Sequence, residues 1–227
     1  SRTARNALFL MIGSSIVLAL SLGIRHAFGL FLQPMSAEFG WGREVFAFAI
    51  ALQNLIWGVL QPFVGAFADR YGVTRTVFIS ALAYTAGLVL MASADTPSTL
   101  VLSASVLIGF GLSGTSFTVL LSAVGRSVAP EKRSMAMGIA SAAGSFGQFV
   151  MLPGTLGLQE WLGWSAALLV CAGLIALLLP LAFMLKESPA PSAEQTAKMP
   201  LRQVLKQAAG HTDFWLLALG FFVCGFQ

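Results

Sequence analysis

The sequence predicts an all-α membrane protein, a bundle of six transmembrane helices followed by the start of a seventh. Three observations lead to this fold class. Of the 227 residues, 57% are hydrophobic and only 10% are charged, whereas soluble domains carry about 25% charged residues. The apolar residues form runs that reach the length a bilayer requires, about 20 residues per helix. The basic residues gather in the short connections between these runs.

Each long apolar run predicts one helix. We number the predicted helices 1 to 6, and they cover residues 7–33, 45–68, 76–94, 98–125, 135–158 and 164–185. A seventh run begins at Thr212 or Asp213, either of which is a favourable helix N-cap, and continues to Gln227. Because the chain starts without methionine and stops inside an apolar run, we expect it to be a fragment.

Three regions follow from this pattern. Residues 1–186 form the predicted membrane bundle, and residues 212–227 begin helix 7. Between them, residues 187–211 start with a stretch rich in Pro, Ser and Ala, which is typical of a flexible linker. The stretch LRQVLKQAA that follows has apolar residues at helical spacing opposite Arg202 and Lys206, and it predicts an amphipathic helix on the membrane surface.

The loop charges predict the orientation, because cytoplasmic loops carry an excess of Lys and Arg. With the N-terminus in the cytoplasm, Arg43 is the loop arginine that falls outside. The cytoplasmic basic residues are then Arg2, Arg5, Arg70, Arg75, Arg126, Lys132, Arg133, Lys186, Lys198, Arg202 and Lys206. We therefore expect an integral protein of the inner or plasma membrane, surrounded by lipid.

Composition also argues against several functional classes. No basic stripe interleaved with aromatic residues indicates nucleic acid. Cys171 and Cys224 lie in separate apolar runs, so a disulfide framework is not indicated. An intramembrane enzyme would need a nucleophile with its base or a metal cluster, and His26 has no acidic or cysteine partner near it in the sequence. We expect no catalytic residues, no metal and no cofactor.

A charged motif lies between predicted helices 2 and 3. The stretch GAFADRYGVTR resembles the loop signature of the major facilitator superfamily through Gly65, Asp69, Arg70, Gly72 and Arg75. The resemblance implies two inverted three-helix repeats, a second six-helix half and alternating access. It also implies that Gly65 lets helix 2 pack tightly, while Asp69 and Arg70 form cytoplasmic contacts that break during gating. The alternative is a simple turn with positive-inside charges.

Two further stretches are similar to the branch of monocarboxylate transporters and oxalate/formate antiporters. One is GIRHAFGLFLQPM in helix 1. The other is EKRSMAMGIASAAGSFG, whose Lys132 and Arg133 precede small residues at the start of helix 5, and we group this basic pair with the cytoplasmic gating motif. The stretch departs from the branch signature at Met135 and Ala143.

Helix 1 carries Arg25 and His26 side by side within an apolar run. An unpaired charge in hydrocarbon is costly, so Arg25 must avoid lipid. Three roles remain open for it: a two-pronged grip on a substrate carboxylate, an internal structural pairing, or snorkelling to the outer interface. Histidine is the side chain whose unperturbed pKa lies near neutral, and His26 is either a structural histidine or part of a proton relay.

Other polar side chains extend the list of substrate-binding candidates. Gln53 and Gln61 share one face of helix 2 with Trp57, and Asn54 lies beside that face. These amides line a cavity or bond to another helix. Ser113 in helix 4 and Gln148 in helix 5 complete the set, although the serine also suits close helix packing.

The sequence thus predicts a secondary transporter of a small organic anion, a mono- or dicarboxylate, with protons as a possible coupling ion. The alternatives are a transporter of another solute class such as drugs, and a non-transporting membrane sensor of the same fold. A half-transporter that pairs with itself is disfavoured by the linker and the seventh helix.

Overall fold

Six membrane-length spans make up the main body of the protein. The computed structural model describes residues 2–185 and 207–225, and the chain divides into two units, Ser1–Ser188 and Pro189–Gln227. Among these described residues, six helical spans are long and apolar enough to cross a bilayer. They are span 1 (Arg5–Phe39), span 2 (Arg43–Tyr71), span 3 (Val73–Ala92), span 4 (Pro97–Ser127), span 5 (Pro130–Leu162) and span 6 (Trp164–Ala182). They confirm the predicted all-α bundle.

Several spans are divided into shorter helical segments. Within residues 2–185 and 207–225, the α-helical segments include Arg2–His26, Leu32–Phe39, Arg43–Tyr71, Val73–Ala92, Pro97–Val101, Ile108–Gly114, Phe117–Ser127, Pro130–Ala176, Leu178–Ala182 and Thr212–Gly225, with a 3₁₀ helix at Ala27–Phe31 and a π-helical segment at Leu102–Leu107. The segment Pro130–Ala176 is interrupted at Gly163, which has a non-helical conformation. The 3₁₀ turn of span 1 has a sequence cause, because Pro34 cannot donate a backbone hydrogen bond to Leu30. This tighter turn begins directly after Arg25 and His26.

Two glycines end spans 2 and 5 in the same unusual conformation. Gly72 has φ 89° and ψ 154°, and Gly163 has φ 81° and ψ 167°. Side chains disfavour positive φ, so glycine is needed at both turns. Each turn reverses the chain into the next span.

Hydroxyl groups two residues after these glycines fasten span 3 to span 6. Thr74 Oγ1 donates a hydrogen bond of 2.7 Å to the carbonyl of Leu185, and Ser165 Oγ donates one of 2.7 Å to the carbonyl of Ala92. The start of each span is therefore tied to the end of the other. This reciprocal pattern is what two inverted three-helix repeats produce.

Spans 1 and 5 are in close contact through small residues. A Cβ atom placed on Gly147 would lie 2.2 Å from the carbonyl oxygen of Ala19, and one on Gly23 would lie 2.8 Å from the carbonyl oxygen of Gly147. Glycine permits this approach, as in many membrane helix pairs. The contact fixes the inner surface of span 1, on which Arg25 lies.

The second unit is described only over residues 207–225. Its helix Thr212–Gly225 begins at one of the two expected residues, and Trp215 Nε1 donates a 2.9 Å hydrogen bond to the carbonyl of Ala209. The predicted linker, together with most of the predicted amphipathic helix, lies outside the described residues.

Candidate solute-binding site

Arg25 lies in the last turn of helix Arg2–His26, where its half-buried side chain meets span 2. One of its terminal nitrogens, Nη2, donates a hydrogen bond to Asn54 Oδ1. Its guanidinium carbon stands 5.0 Å from the centre of the Trp57 ring, a cation–π distance. Span 1 thus supplies the charge, and span 2 supplies an amide and an aromatic face.

Two hydrogen-bond donors in this cluster have no acceptor. Arg25 Nε and Trp57 Nε1 are both buried and form no hydrogen bond among the described residues. A buried donor without a partner costs about 1–3 kcal/mol. An acceptor oxygen of a ligand that reached either donor would relieve that cost.

Gln53 lies on the same helix but points into the bundle. Its side chain is 0% exposed, and Nε2 donates a 2.5 Å hydrogen bond to the carbonyl of Ala104 in the π-helical segment of span 4. From span 4, Ser105 Oγ donates a 2.8 Å hydrogen bond to the carbonyl of Ala49 in span 2. Of the two roles left open by the sequence, this geometry corresponds to bonding between helices.

Gln61 and Ser113 belong to a separate polar network between spans 2 and 4. Gln61 Nε2 donates a 3.1 Å hydrogen bond to Ser116 Oγ. The Ser116 hydroxyl lies 2.9 Å from the carbonyl of Ser113. Ser113 is buried and donates its own hydroxyl to the carbonyl of Phe110 at 2.6 Å. The hydroxyl of Ser113 is therefore used within its own helix, as close packing requires.

His26 and Gln148 are not joined to the Arg25 cluster by polar contacts. His26 is exposed and Gln148 is half-buried. Neither side chain forms a hydrogen bond or an ion pair within the part of the chain that the structure describes. In the same residues, no group of His, Cys, Asp and Glu is arranged to hold a metal ion.

The charged motif at the end of span 2 forms an ion pair with Arg126, which was not among the predicted site residues. Asp69 Oδ1 accepts a 2.9 Å hydrogen bond from Arg126 Nη1, at the end of span 4, and the two side chains form an ion pair. Arg70, the other residue expected to form a gating contact, places its guanidinium 5.4 Å from the ring of Tyr71. The signal for Arg126 was available, since it is a basic residue at the same predicted side of the membrane.

The remaining gating residues are exposed or in open space. No atom of the described residues outside its own helix turns lies within 4 Å of a Cβ placed on Gly65, so the expected tight packing at this glycine is absent from this unit. Gly72 forms the turn described above. The basic residues of the motif are all exposed: Arg70, Arg75, Lys132 and Arg133.

Comparison with known proteins identifies the fold family. A family model described as the Major Facilitator Superfamily matches residues 10–227. Monocarboxylate transporter 14 of Mus musculus is 28% identical over 86% of this chain and 39% of its own length. The voltage-gated purine nucleotide uniporter SLC17A9 of Homo sapiens is 29% identical over 63% of this chain and 34% of its own. Multidrug resistance protein MdtH of Yersinia enterocolitica is 33% identical over 48% of this chain and 26% of its own.

These figures also set the scale of the comparison. The chain spans well under half the length of each of these three relatives. Their names describe solutes as different as monocarboxylates, purine nucleotides and drugs.

Proposed function

This chain belongs to the Major Facilitator Superfamily, and from this membership we propose that it is the N-terminal half of a secondary transporter that moves a small organic anion by alternating access. The second half is a further six-helix bundle of the same protein. The solute is a mono- or dicarboxylate, which binds between the halves.

The observation that carries this proposal is the pair of unused donors at Arg25 Nε and Trp57 Nε1. A guanidinium presents its N–H groups in a planar fork that matches two carboxylate oxygens. Here Nη2 is held by Asn54, so the Nε side of the fork remains for the solute. The Trp57 N–H adds a second donor for the same anion.

Asn54 and Trp57 support the arginine in different ways. The Asn54 amide orients the guanidinium through a hydrogen bond, while the Trp57 ring stabilises its charge in a site with little water. Trp57 therefore joins Arg25 and Asn54 in the proposed site. Gln53 and Gln61 hold spans 2 and 4 together beside it, while Ser113 bonds within span 4.

The proton, if it is the coupling ion, requires a titratable group outside this cluster. His26 is adjacent in sequence and exposed, so it can exchange a proton with water without a change in packing. We propose His26 as the proton-binding candidate of this half, and Gln148 as a solute contact from span 5.

The motif at the other end of span 2 has a gating role in this proposal. The Asp69–Arg126 ion pair closes the ends of spans 2 and 4 against each other. Arg70, Arg75, Lys132 and Arg133 surround the same cytoplasmic end and are available to the second half. Their contacts change as the two halves rock.

Uptake into proteoliposomes tests the proposal. The full-length protein is reconstituted and offered labelled mono- and dicarboxylates, a nucleotide and a cationic drug, with and without a pH gradient. We expect uptake of a carboxylate that Arg25→Gln abolishes. Arg43→Gln is the matched control, since Arg43 is exposed at the start of span 2 and its loss leaves uptake unchanged.

Two results would contradict the proposal. One is carboxylate uptake that is equal in wild type and Arg25→Gln. The other is transport of the drug or the nucleotide with no carboxylate uptake, which assigns the protein to another solute class.

A further inference from the structure

A cavity with both apolar and polar lining residues lies at the end of the bundle opposite the Asp69–Arg126 pair. It has a volume of about 460 Å³, within the range of roughly 300–1,000 Å³ that small-molecule sites occupy. Span 1 contributes Gly29 and Gln33 from its 3₁₀ turn and following helix, and span 5 contributes Gln159 and Glu160 from its last turns. Trp164, at the start of span 6, completes the wall.

Polar atoms of this cavity lack partners. Gln159 Nε2 is buried and forms no hydrogen bond with the described residues. Glu160 is exposed, and its carboxylate forms no ion pair or hydrogen bond with them. By contrast, Trp164 Nε1 is already committed to Glu38, so Trp164 offers the cavity its ring. The unused groups are therefore one negative charge and one amide.

Glu160 and Asp69 hold comparable positions at opposite ends of the bundle. Asp69 precedes Gly72 by three residues, and Glu160 precedes Gly163 by three. The two glycines share one backbone conformation, so the two acidic residues hold equivalent places in the inverted repeats. At the Asp69 end, Arg126 from the end of span 4 neutralises the acid.

At the Glu160 end, no basic residue takes the place of Arg126. The equivalent part of span 1 is AFGLFLQPMSAEF, residues 27–39, which contains no lysine or arginine. None of the residues that line the cavity is basic either. The repeat therefore keeps the acid and replaces its cation with an open volume.

We propose that this cavity binds a cationic nitrogen group, an ammonium or a guanidinium, through Glu160. The Gln33 and Gln159 amides contact polar atoms beside that cation, and the Trp164 ring borders it, as aromatic rings often do for such ions. This site is separate from the Arg25 cluster and does not depend on the anion proposal.

The cationic group has two possible sources. A free organic ammonium compound supplies it from solution, and an amino alcohol also carries an oxygen that accepts from Gln159. Alternatively, a basic side chain of the rest of the protein enters the cavity and forms the counterpart of the Asp69–Arg126 pair. The experiment below separates these sources.

Gly29 provides a reporter inside the cavity. Nothing lies within 4 Å of a Cβ at this exposed glycine, so Gly29→Cys is tolerated. In a cysteine-free background of the full-length protein, its thiol is labelled with methanethiosulfonate reagents that carry either an ethylammonium or an ethylsulfonate group. The rates are measured with and without Glu160→Gln, and with ethanolamine as the free cation. Glu44→Gln is the control, because Glu44 is exposed and lines a different crevice.

Each outcome decides the proposal. For a site filled from solution, the ammonium reagent reacts about fivefold faster than the sulfonate, ethanolamine slows the reaction, and Glu160→Gln removes both effects. For a site filled by a basic side chain, both reagents react slowly, ethanolamine has no effect, and Glu160→Gln accelerates both. If Glu160→Gln changes neither the rates nor the response to ethanolamine, the proposal is wrong, provided that size-exclusion profiles of the variants match.

Discussion

The Arg25 guanidinium is held by neighbours that use only part of its hydrogen-bonding capacity. Asn54 takes Nη2, and the Trp57 ring lies beneath the charge, yet Nε has no acceptor. A purely structural arginine in a helical bundle would be expected to pair all of its buried donors, because an unpaired one costs free energy. The proposed function assigns this unused donor to the solute.

Replacement of Arg25 with lysine separates charge from shape. Lysine keeps the positive charge but lacks the planar fork and cannot bond Asn54 and the solute in the same way. We expect Arg25→Lys to raise the KM for the carboxylate at least about tenfold, the equivalent of about 1.4 kcal/mol. Initial uptake rates over a range of solute concentrations measure this change. Uptake by Arg25→Lys with an unchanged KM would show that charge alone suffices.

At this scale the sequence selected polar candidates but did not predict which of them contact one another. Arg25 and Asn54 were identified because polar groups in an apolar run need a reason. Trp57 was noted for its spacing, but an indole in a membrane helix more often packs than binds, so its role required coordinates. The sequence left open whether Gln53 and Gln61 line a cavity or bond to another helix, and the structure shows that both bond to span 4, at Ala104 and Ser116.

The contact between spans 1 and 5 determines where the element that carries Arg25 lies. Gly147 places the two backbones so close that no side chain fits between them. Nearby, Gly154 also lies in span 5 but has open space around it. The two glycines therefore differ in packing within one helix.

We expect Gly147→Ala to destabilise the bundle by about 1–3 kcal/mol, since the new methyl group forces spans 1 and 5 apart. Gly154→Ala should leave the stability unchanged or slightly improved, because alanine favours helix more than glycine does. Thermal unfolding of both variants of the full-length protein in detergent measures the difference. An equal unfolding midpoint for wild type and Gly147→Ala would contradict the packing described here.

Elements were largely predictable because a membrane span needs a long apolar run, and the six spans agree with the six predicted runs. Their internal breaks were less accessible. Pro34 is a visible cause of the 3₁₀ turn, but the π-helical segment Leu102–Leu107 contains no proline or glycine. It is stabilised by contacts with span 2, at Gln53 and Ala49, and tertiary contacts of this kind are not written in local sequence.

Across the whole bundle, the six spans bury unequal shares of their surface. In an apolar 18-residue stretch of each span, 17% of the residues are buried within this unit for span 2 and 22% for span 5. The corresponding share for span 4 is 67%. Lipid or a second protein surface must cover these two faces. In the proposed full transporter, the second half covers much of these two faces. Arg25 then lies at the interface between the two halves.

The Asp69–Arg126 pair gives a test at this scale. Its side chains are 44% and 25% exposed, and an ion pair with such access to water contributes about 0–1 kcal/mol to stability. We therefore expect Asp69→Asn to leave the unfolding temperature nearly unchanged while it slows uptake several-fold, because gating depends on small energy differences. The charge exchange of Asp69→Arg with Arg126→Asp should restore part of the rate. Wild-type uptake by Asp69→Asn would exclude a gating role.

The most direct test of the central claim is a binding titration. Calorimetry with the full-length protein in detergent gives the Kd for the carboxylate that the uptake panel selects, in wild type, Arg25→Gln and Arg43→Gln. The account predicts that Arg25→Gln weakens binding by at least about tenfold, while Arg43→Gln binds as wild type does and all three share one unfolding temperature. An unchanged Kd in Arg25→Gln would show that the buried arginine is structural and that the anion binds elsewhere.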